Sequence, residues 1–168
     1  MVRHTRLQGG EGVCYGRSDL PCAETFDTEA AALLPTLPPV DRIVTSPSSR
    51  CIRLADTIAR ARGLAAVVDP RLAEMDFGRW EGVPWDAVPR AELDAWAADF
   101  HGARPHGGES VAMLAARVAS ALSGLGRGGG GGSVAAVTHN GVIRAALAAA
   151  GRPGAWDWIT PFGGWVEI

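Results

Sequence analysis

The chain has 168 residues, 47% apolar and 20% charged, a composition suited to one globular domain, residues 1–168, with a core of its own. A formal net charge of −2 and a pI near 6.1 leave no overall basic field for nucleic acid or anionic lipid, so any anion must be met by a local cluster of arginines. No apolar run approaches the ~20 residues of a membrane span, and no charged and then apolar leader opens the sequence. Three cysteines, Cys14, Cys22 and Cys51, fit neither a disulfide framework nor a zinc spacing. They read as small buried hydrophobes, and the expected location is the cytoplasm.

In chain order, the stub MVR ends a very short first strand. TEAAALLPTL (28–37) is a weak helix interrupted by Pro35. RIVTS (42–46) is a buried strand centred on Ile43 and Val44. SRCIRLADTIARARG (49–63) places Ile52, Ala55, Ile58 and Ala59 on one helical face and stops at Gly63. AAVVDP (65–70) is a strand stopped by Pro70. ESVAMLAARVASALSGL (109–125) carries an apolar stripe of Val111, Leu114, Ala115, Val118 and Leu122, with Glu109 or Ser110 serving its start. GRGGGGGS (126–133) lacks the Gly-Lys-Ser/Thr ending of a phosphate loop and precedes a strand, so it reads as a flexible connector. SVAAVTH (133–139) is the clearest strand, GVIRAALAAAG (141–151) a well-buried helix, and WVEI (165–168) a terminal strand. Alternating strands and helices predict an α/β three-layer sandwich, a mostly parallel central sheet flanked by helices.

Ligands of such sheets bind outside the carboxyl ends of the strands. His4 follows the first stub, Ser46 ends RIVTS and leads to Arg50, and His139 ends SVAAVTH. Two of these points open helices, whose free N–H groups favour an anion, and Arg3 and Arg50 add forks that match phosphate oxygens. Two imidazoles, two arginines and helix starts at one rim describe a phosphoryl site. A departing alkoxide also needs a proton, and RLAEMDFGRWEG (71–82) offers Glu74, Asp76 and Glu81. Glu74 is the first choice, with Phe77 and Trp80 at hand to bury a carboxyl and raise its pKa.

These motifs resemble the histidine phosphatase superfamily and its phosphoglycerate-mutase-like branch. The resemblance runs through VRH, TSPSSRCIRLADT, LAEMDFGRWEG, HGGES and VTHNGVIR in family order. It implies a phosphoglycerate-mutase-like fold, His4 as the nucleophile that becomes phosphohistidine, Arg3, Arg50 and His139 as phosphate ligands, and Glu74 as proton donor. The chain departs from the family pattern with Thr5 in place of Gly after the nucleophile, and with Asn140 where the last motif has Gly. GVCYGRSDLPC (12–22) is similar to the α-ribazole phosphatase branch of cobalamin synthesis, making Tyr15, Arg17 and Ser18 candidate substrate contacts. His101 and His106 match no motif and read as surface residues.

The resulting expectation is metal-independent hydrolysis of a small phosphorylated metabolite through phosphohistidine, with α-ribazole 5′-phosphate as substrate and no cofactor. One nitrogen of His4 keeps its lone pair for attack while the other donates to a backbone carbonyl. The rivals are a mutase or broad-specificity phosphatase of the same family and a non-catalytic phospho-ligand binder. A metal-binding hydrolase is disfavoured, because the four histidines lack ligand spacing with carboxylates. Nothing in the sequence bears on oligomeric state.

Overall fold

The computed structural model describes residues 1–127 and 132–168, so residues 128–131 of the glycine tract at 126–133, read as a flexible connector, lie outside the described residues. Four parallel strands form one sheet in the order β1-β4-β2-β3. They are β1 (Val2–Arg3), β2 (Arg42–Thr45), β3 (Ala66–Val68) and β4 (Val134–Thr138). The helices are α1 (Phe26–Leu33), α2 (Ser49–Arg62), α3 (Arg90–Ala98), α4 (Val111–Arg127) and α5 (Asn140–Ala149).

Side-chain alternation along the strands splits the core into layers. Val2, Ile43, Ala135 and Val137 pack with α1 and α2 through Phe26, Leu33, Leu54 and Ile58. On the opposite face, Val44 and Ala136 pack with α4 and α5 through Leu114, Val118, Val142 and Ala146. This is the expected three-layer sandwich. The central β2 and β4 are buried, whereas β3 is an edge strand that leaves Val67 and Val68 exposed.

Several boundaries follow from local chemistry. Pro35 cannot continue an α-helix, so α1 stops at Leu33 and passes into a 3₁₀ turn at Leu34–Thr36. Gly63 takes the left-handed conformation (φ +67°) that closes α2, and its N–H returns to the Ala59 and Arg60 carbonyls. The buried face of α2 runs through Cys51, Leu54, Ala55, Ile58 and Ala59, with Ile52 only half-buried. Ser110 caps α4 by accepting the Met113 N–H at 3.2 Å.

Two readings are corrected. WVEI is not a strand: past the left-handed Gly163, the chain makes a single antiparallel bridge, Trp165 to Val2, along the outer edge of β1. His106 is not a surface residue. It is 1% exposed, 4.8 Å from the Trp80 ring between centroids, and its Nδ1 accepts the Gly108 N–H at 3.0 Å. His101 is exposed as expected, and all three cysteines are free thiols, Cys14 and Cys51 fully buried and Cys22 half-buried.

Candidate active site

The parallel sheet delivers its four carboxyl ends to one rim. β1 ends in Arg3 and passes to His4, β2 passes to Ser46, and β4 passes to His139, with the His4 N–H donating to the Thr138 carbonyl at 3.0 Å. Glu74 follows β3 after a 3₁₀ turn at Pro70–Leu72. Residues far apart in sequence meet here because the strand register brings them level.

His4 is 2% exposed, and its Nδ1 faces the Thr5 carbonyl at 2.7 Å. A carbonyl only accepts, so Nδ1 carries the proton and Nε2 keeps its lone pair, as the sequence reading expected. Burial holds the His4 pKa down at about 3, aided by the Arg50 and Arg3 charges and opposed by the Thr5 carbonyl. The His4 ring lies 5.2 Å from that of His139 and 5.6 Å from that of Phe162, between centroids.

His139 is also buried. Its Nδ1 lies 3.3 Å from an Arg50 Nη2 donor and its Nε2 lies 2.7 Å from the Ser46 hydroxyl. Arginine has no acceptor, so Nδ1 accepts and Nε2–H donates to Ser46. Burial, with His4 and Arg50 beside it, holds the ring well below the usual histidine range.

Arg50 has no exposed surface, and its terminal nitrogens are committed to backbone: Nη1 to Ser18 O at 2.7 Å and Nη2 to Gly16 O at 2.8 Å. Arg3 donates Nη1 to Thr160 O at 2.7 Å and stacks on Phe162, with Cζ 3.8 Å from the ring centroid. In both guanidiniums, Nε is buried with no partner among the described residues. Such donors are costly to leave unpaired, and two of them beside two neutral histidines have the chemistry to accept an oxyanion.

Glu74 accepts the Met75 N–H at 3.0 Å through Oε1 and the Gly141 N–H at 3.1 Å through Oε2. Gly141 leaves room for this contact, since a Cβ at that position would push the Glu74 carboxylate aside. Desolvation raises the Glu74 carboxyl above its ordinary range, against the pull of the two amides and of Arg50 and Arg117. Phe77 and Trp80 serve elsewhere: Trp80 donates its indole N–H to Glu92 at 2.7 Å, in a hydrophobic cluster with Phe77 and Val88.

The 12–22 loop closes over Arg50, and its anchor is Glu81. This carboxylate accepts the N–H groups of Gly16, Arg17 and Ser18, the Ser18 hydroxyl and the Phe77 N–H. Those bonds hold the Glu81 pKa low against its burial, so Glu81 fixes the loop and is ill suited to donate a proton. Asp76 is spent partly on the Gly78 N–H at 2.8 Å. Tyr15 is brought to the site, half-buried, its ring centroid 5.8 Å from Arg50 Cζ and its phenol against Arg3. Ser18 is not free for a substrate, because its hydroxyl is held by Glu81. Arg17 is exposed and turned toward Asp76 and Glu109, at 3.9 and 4.0 Å. Asp19, unnoticed in the sequence, accepts the first N–H of α2 at Ser49 (3.0 Å) and lies 3.6 Å from Arg50.

Asn140, the departure from glycine, ties down the segment beside Arg3. Its Nδ2 donates to Trp158 O at 3.1 Å, and its Oδ1 accepts the Thr160 N–H at 2.9 Å. Thr160 O is in turn the acceptor for Arg3. Thr5, the other departure, is fully buried and is tolerated without positive φ.

The site makes stability depend on pH. His4, His106 and His139 all have pKa values pulled below 6.5 by burial, so below pH 6.5 the unfolded chain binds more protons than the folded one. Their contribution is fully present above pH 6.5 and is lost as pH falls toward the folded values, about 3 for His4. Glu74, raised, works in the opposite sense, stabilising at low pH and losing that contribution as pH rises through its folded value. The lowered carboxyls of Glu29, Asp69, Glu81 and Glu92 act in the same sense as the three histidines, so against Glu74 the balance predicts a Tm that falls steadily below pH 6.5 in thermal scans. A Tm unchanged from pH 6.5 to 4 would contradict burial of neutral histidines.

Comparison with known proteins agrees with this geometry. The profile of the histidine phosphatase superfamily (branch 1) matches residues 1–160. The protein named Probable phosphoglycerate mutase GpmB from Cronobacter sakazakii is 30% identical over 130 residues, covering 73% of this chain. The chain spans 60% of that relative's length. The mycobacterial glucosyl-3-phosphoglycerate phosphatase structure superposes with a TM-score of 0.77 at 30% identity, over 92% of this chain and 80% of that one. The α-ribazole phosphatase structure from Shigella flexneri gives a TM-score of 0.83 over 96% and 85% of the two chains, a likeness of fold at 23% identity. With the family profile covering nearly the whole sequence and the strand ends carrying its motifs, the chain belongs to the histidine phosphatase superfamily, branch 1.

Proposed function

We propose that the protein hydrolyses phosphomonoesters in two steps through a phosphohistidine at His4. The observation that carries this reading is the His4 tautomer: Nδ1 is committed to Thr5 O, and the ring stays neutral across physiological pH. The Nε2 lone pair attacks phosphorus, the P–O ester bond breaks, and the leaving oxygen takes the proton of Glu74. Glu74, now a carboxylate, then removes a proton from water, whose oxygen attacks phosphorus as the P–N bond breaks. Phosphate leaves, His4 is again neutral and Glu74 again protonated. The free Nε–H groups of Arg3 and Arg50 grip the non-bridging oxygens, where charge gathers in the transition state. A bound dianion also favours protonated His139, turning its Nδ1 from acceptor into donor toward the phosphate.

The substrate we favour is α-ribazole 5′-phosphate, a small metabolite met in the cytoplasm by the single domain of residues 1–168. The 12–22 loop and the half-buried Tyr15 support it, offering an aromatic face beside the phosphate site. A phosphoglycerate is the second reading, favoured by the names of the two relatives at 30% identity. A steady-state comparison of both compounds in the presence of chelator tests the proposal. The expected result is hydrolysis without added metal, because arginine and helix N-termini already supply the positive charge, and a higher kcat/KM for α-ribazole 5′-phosphate. Preference for the glycerate would leave the chemistry standing and replace the substrate; a strict requirement for added metal would overturn the chemistry.

A further inference from the structure

Glu74 stands in a stretch that belongs to no helix or strand, residues 73–77, so the sheet does not fix it directly. Its backbone is instead gripped by one side chain. Arg117, on α4, donates Nη1 to Arg71 O at 2.8 Å and to Ala73 O at 2.6 Å, and Nη2 to Glu74 O at 3.0 Å. The remaining donors form a bidentate pair with Glu109, Nε to Oε1 at 2.7 Å and Nη2 to Oε2 at 2.8 Å. All five N–H donors of the guanidinium are therefore used. Both partners are largely buried, with side-chain exposures of 17% for Arg117 and 8% for Glu109. The base is rigid, since Leu114 and Val118 seat α4 in the core.

We propose that Arg117, locked by Glu109, is a positioning residue for the proton donor: it holds the carbonyls of Arg71, Ala73 and Glu74 where no helix or strand does and sets where the Glu74 carboxyl can reach. The proposal rests on the reading of Glu74 as the acid. A lysine in its place carries the same charge but cannot span three carbonyls and a carboxylate from one nitrogen. The requirement is thus for the planar fork. The Arg117 charge also opposes the desolvation that raises the Glu74 carboxyl, so neutralising it moves that carboxyl further up.

The experiment compares Arg117→Lys, Arg117→Met and Glu109→Gln with the parent protein on an alkyl phosphate and on 4-nitrophenyl phosphate, across pH. The quantity compared is kcat/KM, which ends at phosphorylation of His4 and so excludes the later water activation by Glu74. The nitrophenolate leaves without a proton, so its kcat/KM reports on folding and phosphate binding. Arg117→Lys should lose about tenfold or more on the alkyl ester, part of the ~10²–10⁴-fold a positioned acid supplies, with little change on nitrophenyl phosphate. Glu109→Gln, which keeps the guanidinium and frees its fork, should show the same selectivity in milder form. Arg117→Met should add a shift of the basic limb of the pH profile to higher pH, which Arg117→Lys should not. Equal losses on both esters in the folded Lys or Gln variant, or no loss, would overturn the proposal. Glu74→Gln in the same assay separates the two claims. Selectivity there without selectivity at Arg117 defeats only the positioning role, whereas no selectivity at Glu74 defeats the acid assignment itself.

Discussion

Glu74→Gln is expected to lower kcat/KM, which reports the phosphorylation step, by about 10²–10⁴-fold for alkyl phosphates while leaving kcat/KM for 4-nitrophenyl phosphate nearly untouched. The kcat falls for both, because the same carboxylate activates water in the second step of the proposed mechanism. The carboxyl lies where an acid must lie, on the strand-end rim, held by the Met75 and Gly141 amides at 3.0 and 3.1 Å. Desolvation raises its pKa, which keeps the proton available closer to neutral pH than an ordinary glutamate would. Glutamine keeps the shape and removes the proton. Its amide cannot accept both backbone N–H groups, so some displacement is built into the variant, and the nitrophenyl ester controls for it. Arg50→Ala should behave differently, depressing both esters alike, because the proposed mechanism has Arg50 act on the transferred group. Steady-state kinetics on the two esters check the pattern. If Glu74→Gln lowers kcat/KM for both equally, the acid is elsewhere.

His4→Ala is expected to reduce turnover by at least about 10³-fold on every ester, activated or not, since no leaving group replaces a missing nucleophile. With the His4 pKa at about 3, the parent protein should keep the proposed nucleophile unprotonated down to mildly acidic pH. Its kcat/KM should therefore show no acid limb near the ordinary histidine value of about 6.5. The variant should also lose part of the protein's acid sensitivity, because one of three depressed histidines is gone. Thermal scans at pH 7 and pH 5 alongside the rate measurements distinguish this from simple unfolding. Ordinary turnover in a folded His4→Ala protein would end the proposed mechanism.

Much of the fold is legible from where apolar runs end. RIVTS and SVAAVTH are short β-branched runs that close on a polar residue, and the sheet places both polar ends on one rim. Arg3, His4, Arg50, Glu74 and His139 follow from that geometry because parallel strands point the same way. What escapes the sequence is set by long-range packing. Helix α3 has no buried residue, so no apolar stripe marks it; it is held through the half-buried Trp96 against Phe77 and Trp80. His106 sits among Pro, Gly and Arg in the sequence, and the Trp80 and Phe77 rings from a distant turn pack against it. WVEI has strand residues but follows two glycines at the edge of a two-residue strand, which leaves it little to pair with. Glu81 and Ser18 look like free polar groups until folding joins them, and Ser18 then serves the loop it stands on.

The central claim is a covalent bond between His4 and the phosphoryl group, and rapid quench with ³²P-labelled substrate tests it most directly. Label is expected on the peptide bearing His4, stable to alkali and labile to acid as a phosphoramidate is. It should form and decay fast enough to account for turnover, and it should be absent from His4→Ala. Turnover by the parent protein with no trapped label, or label on another residue at full occupancy, would contradict the account.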